Sequence, residues 1–243
     1  MKRRDMLCAL GSVGLGFTIR DGVASATEHA PHAGQAPAVG PIGGPHAHFC
    51  GIHVAKNNRN FQLIAQHYCT AHTGHDHGQG LFQCLLFDSV AANAKLLGVE
   101  YIISDEQFRA LPPEEQKYWH PHTYEVLAGG LIAPDMSPAE EMKFMRQILT
   151  TWGKTWHTWP DPQSPIPLGE PLLMWSLSDD GQADERVVRE RDRRFGVSID
   201  DIRKRRVREI GCEVPHVAFP KSMDQIGRQW TNHGPDQPVR VKR

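Results

Sequence analysis

Three histidines, His46, His48 and His67, carry the residue types and spacing best suited to chemistry in this chain. His46 and His48 stand two residues apart, the strand period, so both imidazoles fall on one face of a β-strand. His67 belongs to the next predicted strand, with Cys50 and Cys69 close by in sequence. Imidazole nitrogens gathered on a largely apolar face need partners, and one divalent cation satisfies a nitrogen from each. His46, His48 and His67 are therefore the expected metal ligands, with Glu100, His120 or His122 completing the set. Glu100 interrupts an otherwise apolar run, and beside a metal with an open position it would act as base toward bound water or dioxygen. Nitrogen and oxygen donors suit Zn, Cu or Fe, and Cys69 would tilt the choice toward Zn or Cu. Neither H-E-x-x-H nor paired C-x-x-C occurs around these residues, so the sequence does not name the ion.

The elements that must position these residues read as follows. Residues 46–54 and 61–70 alternate as two strands about Asn57-Asn58, a turn pair tolerant of positive φ. Matching their apolar residues sets His48 opposite His67, His46 opposite Cys69 and Ile52 opposite Leu63. A shift of one residue would set Tyr68 and Thr70 opposite the histidines instead. Residues 81–87 and 97–103 are further strands, and Ser104 with Gln107 forms a capping box for a short helix. Residues 122–127 read as a strand, which would put His122 and Glu125 on opposite faces. Ser137-Pro138-Ala139-Glu140 starts a helix whose stripe of Met142, Met145, Leu149 and Trp152 ends at Gly153. Residues 172–177 read as an edge strand. The fold class expected is α+β, a single domain with a mainly antiparallel sheet and helices packed to one side.

Other candidates read as structural. His53 points away from the expected site, His157 reads as packing or surface, and Cys84 as a buried apolar residue. His72, His75 and His77 fall in a Gly-flanked, solvated segment. Residues 184–209 are dense in Arg, Asp and Glu and read as solvated helices with paired charges. Neither a Gly-rich phosphate loop nor a G-x-S-x-G elbow is present.

Of the 243 residues, 40% are apolar and 23% charged, ordinary for a globular protein, while fourteen histidines are the anomaly. The formal net charge of −1 argues against nucleic acid or an anionic membrane as partner. No apolar run is long enough to span a membrane. Residues 1–26 read as an export signal: Arg3-Arg4-Asp5-Met6-Leu7 has the twin-arginine order, and Ala24-Ser25-Ala26 offers a cleavage site near Ala26. Residues 27–45 read as a flexible linker, residues 46–210 as the folded domain and residues 211–243 as an irregular tail. Export would place the mature protein in the periplasm or outside the cell. There Cys50, Cys69, Cys84 and Cys212 could pair in three ways, or remain buried thiols.

Several of these segments are similar to the oil-body-associated protein family, long filed as a domain of unknown function. They are His46-Ala47-His48-Phe49-Cys50-Gly51-Ile52-His53, His67-Tyr68-Cys69 and Gln83-Cys84-Leu85-Leu86-Phe87-Asp88-Ser89. Leu97-Gly98-Val99-Glu100-Tyr101-Ile102-Ile103-Ser104 and Trp119-His120-Pro121-His122-Thr123-Tyr124-Glu125 continue the match. Pro167-Leu168-Gly169-Glu170-Pro171 and Arg191-Asp192-Arg193-Arg194-Phe195-Gly196 complete it. The resemblance covers residues 46–206 and identifies the chain as an exported bacterial member. Plant members associate with seed oil bodies, so the resemblance implies lipid association. Their reducing compartment weighs against Cys50, Cys69 and Cys84 serving as disulfides. The sequence thus supports an exported protein binding a divalent metal through histidines, extended to a metalloenzyme if a coordination position stays open. The alternatives are a non-catalytic lipid-associated or structural protein, and a redox protein acting through Cys50 and Cys69.

Overall fold

A computed structural model describes residues 46–72 and 81–214. The expected export signal, the linker up to residue 45 and the tail beyond residue 214 lie outside the described residues, as do His75 and His77. Seven strands form: β1 (Ala47–Ala55), β2 (Asn58–His72), β3 (Leu81–Phe87), β4 (Leu96–Ser104), β5 (His120–Pro121), β6 (Thr151–His157) and β7 (Leu172–Ser176). Among the described residues six helices accompany them: α1 (Asp105–Ala110), α2 (Pro113–Gln116), α3 (Thr123–Ala128), α4 (Pro138–Ile148), α5 (Glu185–Phe195) and α6 (Ile199–Ile210). None of the described helices is long and apolar enough to cross a membrane.

The strand order β4-β3-β2-β1-β7-β6-β5, with β4 also paired to β6, closes six antiparallel strands into a barrel. This corrects the expected α+β class, a mainly antiparallel sheet with helices packed to one side, because the sheet closes on itself. Closure rests on β6, whose residues from Thr151 to His157 pair with β4 from Ser104 to Gly98. Gly98 makes the seam possible, because a Cβ there would collide with the Trp156 carbonyl. β6 was hidden in the sequence because Met142, Met145, Leu149 and Trp152 continue a helical spacing. The helix instead ends at Ile148, and Trp152 and Gly153 belong to β6. Within β6, Thr151, Gly153, Thr155 and His157 are buried while Trp152, Lys154 and Trp156 are half-buried, the period-two signature of a barrel wall. β7, expected at an edge, lies between β1 and β6.

Helices occupy more than one side. Val126, Leu127, Met145 and Ile148 of α3 and α4 pack with the inward residues Phe49, Ala65, Phe82 and Ile102, filling the barrel. α5 and α6 cover the outside of β1 and β2, where Val187, Phe195 and Ile202 meet Cys50 and Ile64. α1 packs outside β4 and β6, with the Phe108 ring stacked 3.5 Å from Trp152. Both expected capping boxes form, Ser104 with Gln107 at α1 and Ser137 with Glu140 at α4.

The first hairpin departs from expectation in register. The turn is Lys56-Asn57, Ala55 pairs with Asn58, and the register then shifts so that Val54 pairs with Gln62. Beyond the shift His48 faces Tyr68 and Phe49 faces His67, the one-residue alternative. Because side chains alternate, that single residue exchanges the faces of β1. Phe49, Gly51 and His53 share the face of His67, while His48, Cys50, Ile52 and Val54 take the other.

The α5–α6 pair is charged but not simply solvated. Arg191 and Arg206 are both 0% exposed. Arg191 Nη1 donates to the carbonyls of Gly129 (3.0 Å) and Gly130 (3.2 Å). Arg206 Nη1 donates to those of Val126 (2.6 Å) and Leu131 (2.7 Å), and its Nη2 pairs with Glu141 at 2.7 Å. These carbonyls belong to the end of α3 and the segment after it, groups a helix leaves without internal partners. The two arginines therefore hold α3, and the residues it carries, against the barrel.

Candidate metal centre

Inside the barrel the inward positions of three long strands bring together His53 of β1, His67 of β2 and Glu100 of β4. His157 enters from β6 and His120 from β5, while His122 and Glu125 come from the start of α3. All seven are at most 4% exposed. Glu100 lies at the centre. Its Oε2 is 3.1 Å from His67 Nε2, and its Oε1 is 3.4 Å from His120 Nε2 and 3.5 Å from His122 Nε2. His53 Nε2 is 2.9 Å from His67 Nε2, and His53 Nδ1 is 2.9 Å from His157 Nε2. His122 Nε2 is 3.7 Å from Glu125 Oε1. The expected strand over residues 122–127 would have separated that pair. As a helix with His122 at its N-cap, the segment brings positions i and i+3 onto one face.

The partners of these rings fix where their protons sit. His67 Nδ1 lies 3.2 Å from the Ala65 carbonyl, which only accepts, so Nδ1 carries a hydrogen, and in a neutral ring Nε2 presents a lone pair. His122 Nδ1 lies 2.7 Å from Thr151 Oγ1, and that hydroxyl gives its own proton to the Ile148 carbonyl at 2.7 Å. His122 Nδ1 is therefore also the donor, and in a neutral ring its Nε2 is bare. Both bare nitrogens face the Glu100 carboxylate. Lone pairs converging on an anion repel unless a cation, proton or metal, lies between them. Imidazoles oriented through Nδ1 with Nε2 free are in the form that ligates metals.

Electrostatics follow the same division. Burial raises the Glu100 carboxyl, but the imidazoles of His122, His67 and His120 beside it outweigh burial and hold the group well below the usual carboxylate range. Burial, then His67 and His157, lower His53 well below the ordinary imidazole value. Burial lowers His120 to about 3 against the opposing pull of Glu100. His157 is likewise lowered by burial, to about 3. Glu125 is raised well above its ordinary value by burial and by the charge of Glu100. At neutral pH Glu100 is thus a carboxylate, His53, His120 and His157 are neutral, and Glu125 keeps its proton. Among the described residues, Glu100 Oε1, His120 Nδ1 and His157 Nδ1 have no hydrogen-bond partner.

Space for this arrangement comes from Gly153. A Cβ there would run into Glu100 Oε1, lie 2.7 Å from His122 Nε2 and 2.9 Å from His120 Cε1. The void left among the polar groups and Phe49, Leu131 and Ile148 is about 10 Å³, close to the smallest that holds one water. Two ligand sets have donor atoms within 4.8 Å of one another: His53, His67 and Glu100, and Glu100, His120 and His122.

Of the residues expected at the site, His67, Glu100 and His122 converge, whereas His46 and His48 do not join them. His48 Nδ1 binds Asp135 at 2.8 Å and its Nε2 binds Gln66 at 3.0 Å, with its ring stacked on Tyr68. Half-buried His46 precedes β1. His53, read as structural, and His157, read as packing, belong to the cluster. The signal for His53 was its shared parity with Phe49 and Gly51; for His157 it was the alternation of bulky and small residues along β6. The cysteines also depart from expectation. Cys69 and Cys84, which face each other in β2 and β3, form a disulfide, and Cys84 is in register with Glu100. Cys50 is a free, buried thiol, its pKa pushed up by burial to about 11, so a Cys50–Cys69 redox pair does not exist.

Comparison with known proteins gives one consistent result. Residues 39–210 match the family described as protein of unknown function DUF1264. The chain is similar to oil body-associated protein 1B of Arabidopsis thaliana, at 35% identity over 72% of this chain and 70% of that protein. It is similar to oil body-associated protein 1A of Zea mays at 36% identity over 71% of each. Oil body-associated protein 2A of Arabidopsis thaliana is 30% identical over 80% of this chain and 74% of that protein. No solved structure matches.

Proposed function

This chain belongs to the DUF1264 family, and from that premise we propose that it binds a divalent transition metal, Zn, Cu or Fe, in the cluster around Glu100. The observation that carries this reading is Glu100 Oε1, a buried anionic oxygen without a hydrogen-bond partner that faces the Nε2 atoms of His120 and His122. A buried charge left unpaired costs several kcal/mol, so a cation in this position offsets a penalty the protein otherwise carries. The central place of Glu100 suits a ligand better than a free base. His67, His120 and His122 are the other expected candidates that the cluster includes, and His53 joins them in place of His46 and His48. Elemental analysis of the purified full chain tests the proposal. Stoichiometric metal that is lost in Glu100→Gln and His67→Asn supports it; a natively folded protein without metal after growth in Zn-, Cu- and Fe-supplemented medium refutes it.

A second reading, lipid association without chemistry, is favoured by the names of the relatives. A surface feature agrees with it: Val90, Leu96, Ile166 and Leu168 are exposed at 62%, 46%, 57% and 57%. Lys95 ties their two segments together by donating to the carbonyls of Pro162 (2.6 Å) and Ser164 (3.0 Å). Flotation with phospholipid-coated triacylglycerol droplets in the presence of chelator, abolished by Val90→Asp with Ile166→Asp, is the expected result. Persistence of flotation in that variant would remove this surface from consideration. The two readings are compatible, since one concerns the barrel interior and the other its rim. Export through the twin-arginine route is proposed as well, on residues 1–26, and cell fractionation with Arg3→Lys, Arg4→Lys as control tests it.

A further inference from the structure

We infer that the centre is built for two metal ions bridged by the Glu100 carboxylate, an inference that rests on the metal-binding reading above and specifies its stoichiometry. The two oxygens of Glu100 address different histidine pairs. Oε2 faces His67, which is itself 2.9 Å from His53, and Oε1 faces His120 and His122. The resulting sets, His53–His67–Glu100 and Glu100–His120–His122, share only that carboxylate. Ligands bound at 2.0–2.1 Å to a tetrahedral ion are about 3.3 Å apart. The separations of 2.9 and 3.1 Å in the first set, and 3.4 and 3.5 Å in the second, bracket this spacing. Each ion would therefore sit within its ligand triangle, and the void of about 10 Å³, lined by residues of both sets, has the size of a single water or hydroxide.

The outer contacts of both sets are already in place. His67 and His122 are oriented through Nδ1 by the Ala65 carbonyl and by Thr151. His53 Nδ1 has His157 Nε2 at 2.9 Å, so a proton displaced from His53 Nε2 by an ion can be accommodated by a tautomer shift across that pair. Glu125 Oε1, 3.7 Å from His122 Nε2, lies beside the second set. Two ions joined by one carboxylate stand about 3.5–4 Å apart, as in two-metal hydrolytic centres.

The test is metal stoichiometry together with spin coupling in the full chain. Zinc-grown protein is expected to hold two Zn per chain, falling to one in His120→Asn, His122→Asn. Copper-loaded protein is expected to give a Cu²⁺ resonance integrating well below its total copper, because bridged ions couple. That spin count is read on the unsubstituted chain, so it does not depend on a variant folding. One ion per chain with a full-intensity signal overturns the two-ion inference and leaves the metal-binding reading standing. No bound ion overturns both. Two ions that persist in Glu100→Gln, or that show no coupling, lie elsewhere, the other histidines of the chain included, and overturn the bridge.

Discussion

Two buried polar clusters lie on either side of α3, and they are built on opposite principles. Beneath α5 and α6, Arg191 and Arg206 are donor-only groups set against acceptors: the carbonyls of Val126, Gly129, Gly130 and Leu131, and the Glu141 carboxylate. Donor meets acceptor at Nη1 of both arginines and at Nη2 of Arg206, with Arg191 Nη2 and Arg206 Nε left over, and the folded chain supplies both sides of each bond. Inside the barrel, the bare nitrogens of His67 and His122 converge with the oxygens of Glu100, acceptor against acceptor. A proton or a metal ion has to lie between them. A buried charge with complementary partners is architecture, whereas buried lone pairs that face one another mark a place for a cation. The first cluster holds the α3 segment from outside so that the second can be assembled within.

The largest effect that would break this comparison is on the arginine side. Arg206→Ala leaves the Val126 and Leu131 carbonyls unpaired and Glu141 with Arg205 as its remaining partner, and unfolding by urea should reveal a loss of about 3–5 kcal/mol. Because α3 carries Glu125 and follows His122, the same variant should lose metal; full metal retention would show that the clusters are independent. Gly153→Ala comes next. Its methyl group enters the space of Glu100 and His122, with an expected cost of about 1–3 kcal/mol and weakened metal binding in the same protein.

Acidity sharpens the contrast further, and the sign follows from proton counts. His53, His120 and His157 are held neutral by burial, so between the ordinary imidazole value of 6.5 and about 3 the unfolded chain binds protons that the folded chain refuses. Metal-free protein should therefore lose stability as pH falls below 6.5, by about 1.4 kcal/mol per pH unit for each such histidine. Glu125 opposes this above pH 4.5, because its raised pKa keeps a proton in the folded state that the unfolded state releases. Denaturant midpoints measured from pH 7 to pH 4 should fall steadily, and a flat profile would mean that these rings are not buried neutral. The smallest effect belongs to His48. Its partner Asp135 is 73% exposed, so His48→Ala should change metal content not at all and stability only modestly.

What the sequence made legible was local. The strand carrying Glu100, the two capping boxes and the hairpin of β1 and β2 follow from alternation and side-chain chemistry within a few residues. What escaped was set by long-range pairing. The register of the hairpin depends on a shift between Val54 and Ala55, beside Lys56, whose backbone amide bonds Leu173 of β7 at 2.9 Å. Apolar matching between two strands does not sense a third, so His48 was assigned to the site and His53 was not. The strand β6 gains its partners only on closure of the barrel, and an apolar spacing continuous with α4 concealed it. α3 is short and buried on nearly every side, so no amphipathic period distinguished it from a strand.

The bond between Cys69 and Cys84 has a practical consequence for the β2–β3 connection. The two residues are 15 apart, and everything between them belongs to one covalent ring. A single cut in that ring, for instance at a protease site introduced between residues 73 and 80, leaves the two fragments joined until a reductant is added. His67 and Glu100, on opposite sides of the cut, stay tethered within one oxidised molecule. The connection is therefore a place where a reporter or affinity peptide can be spliced in while the chain keeps both halves of its interior together.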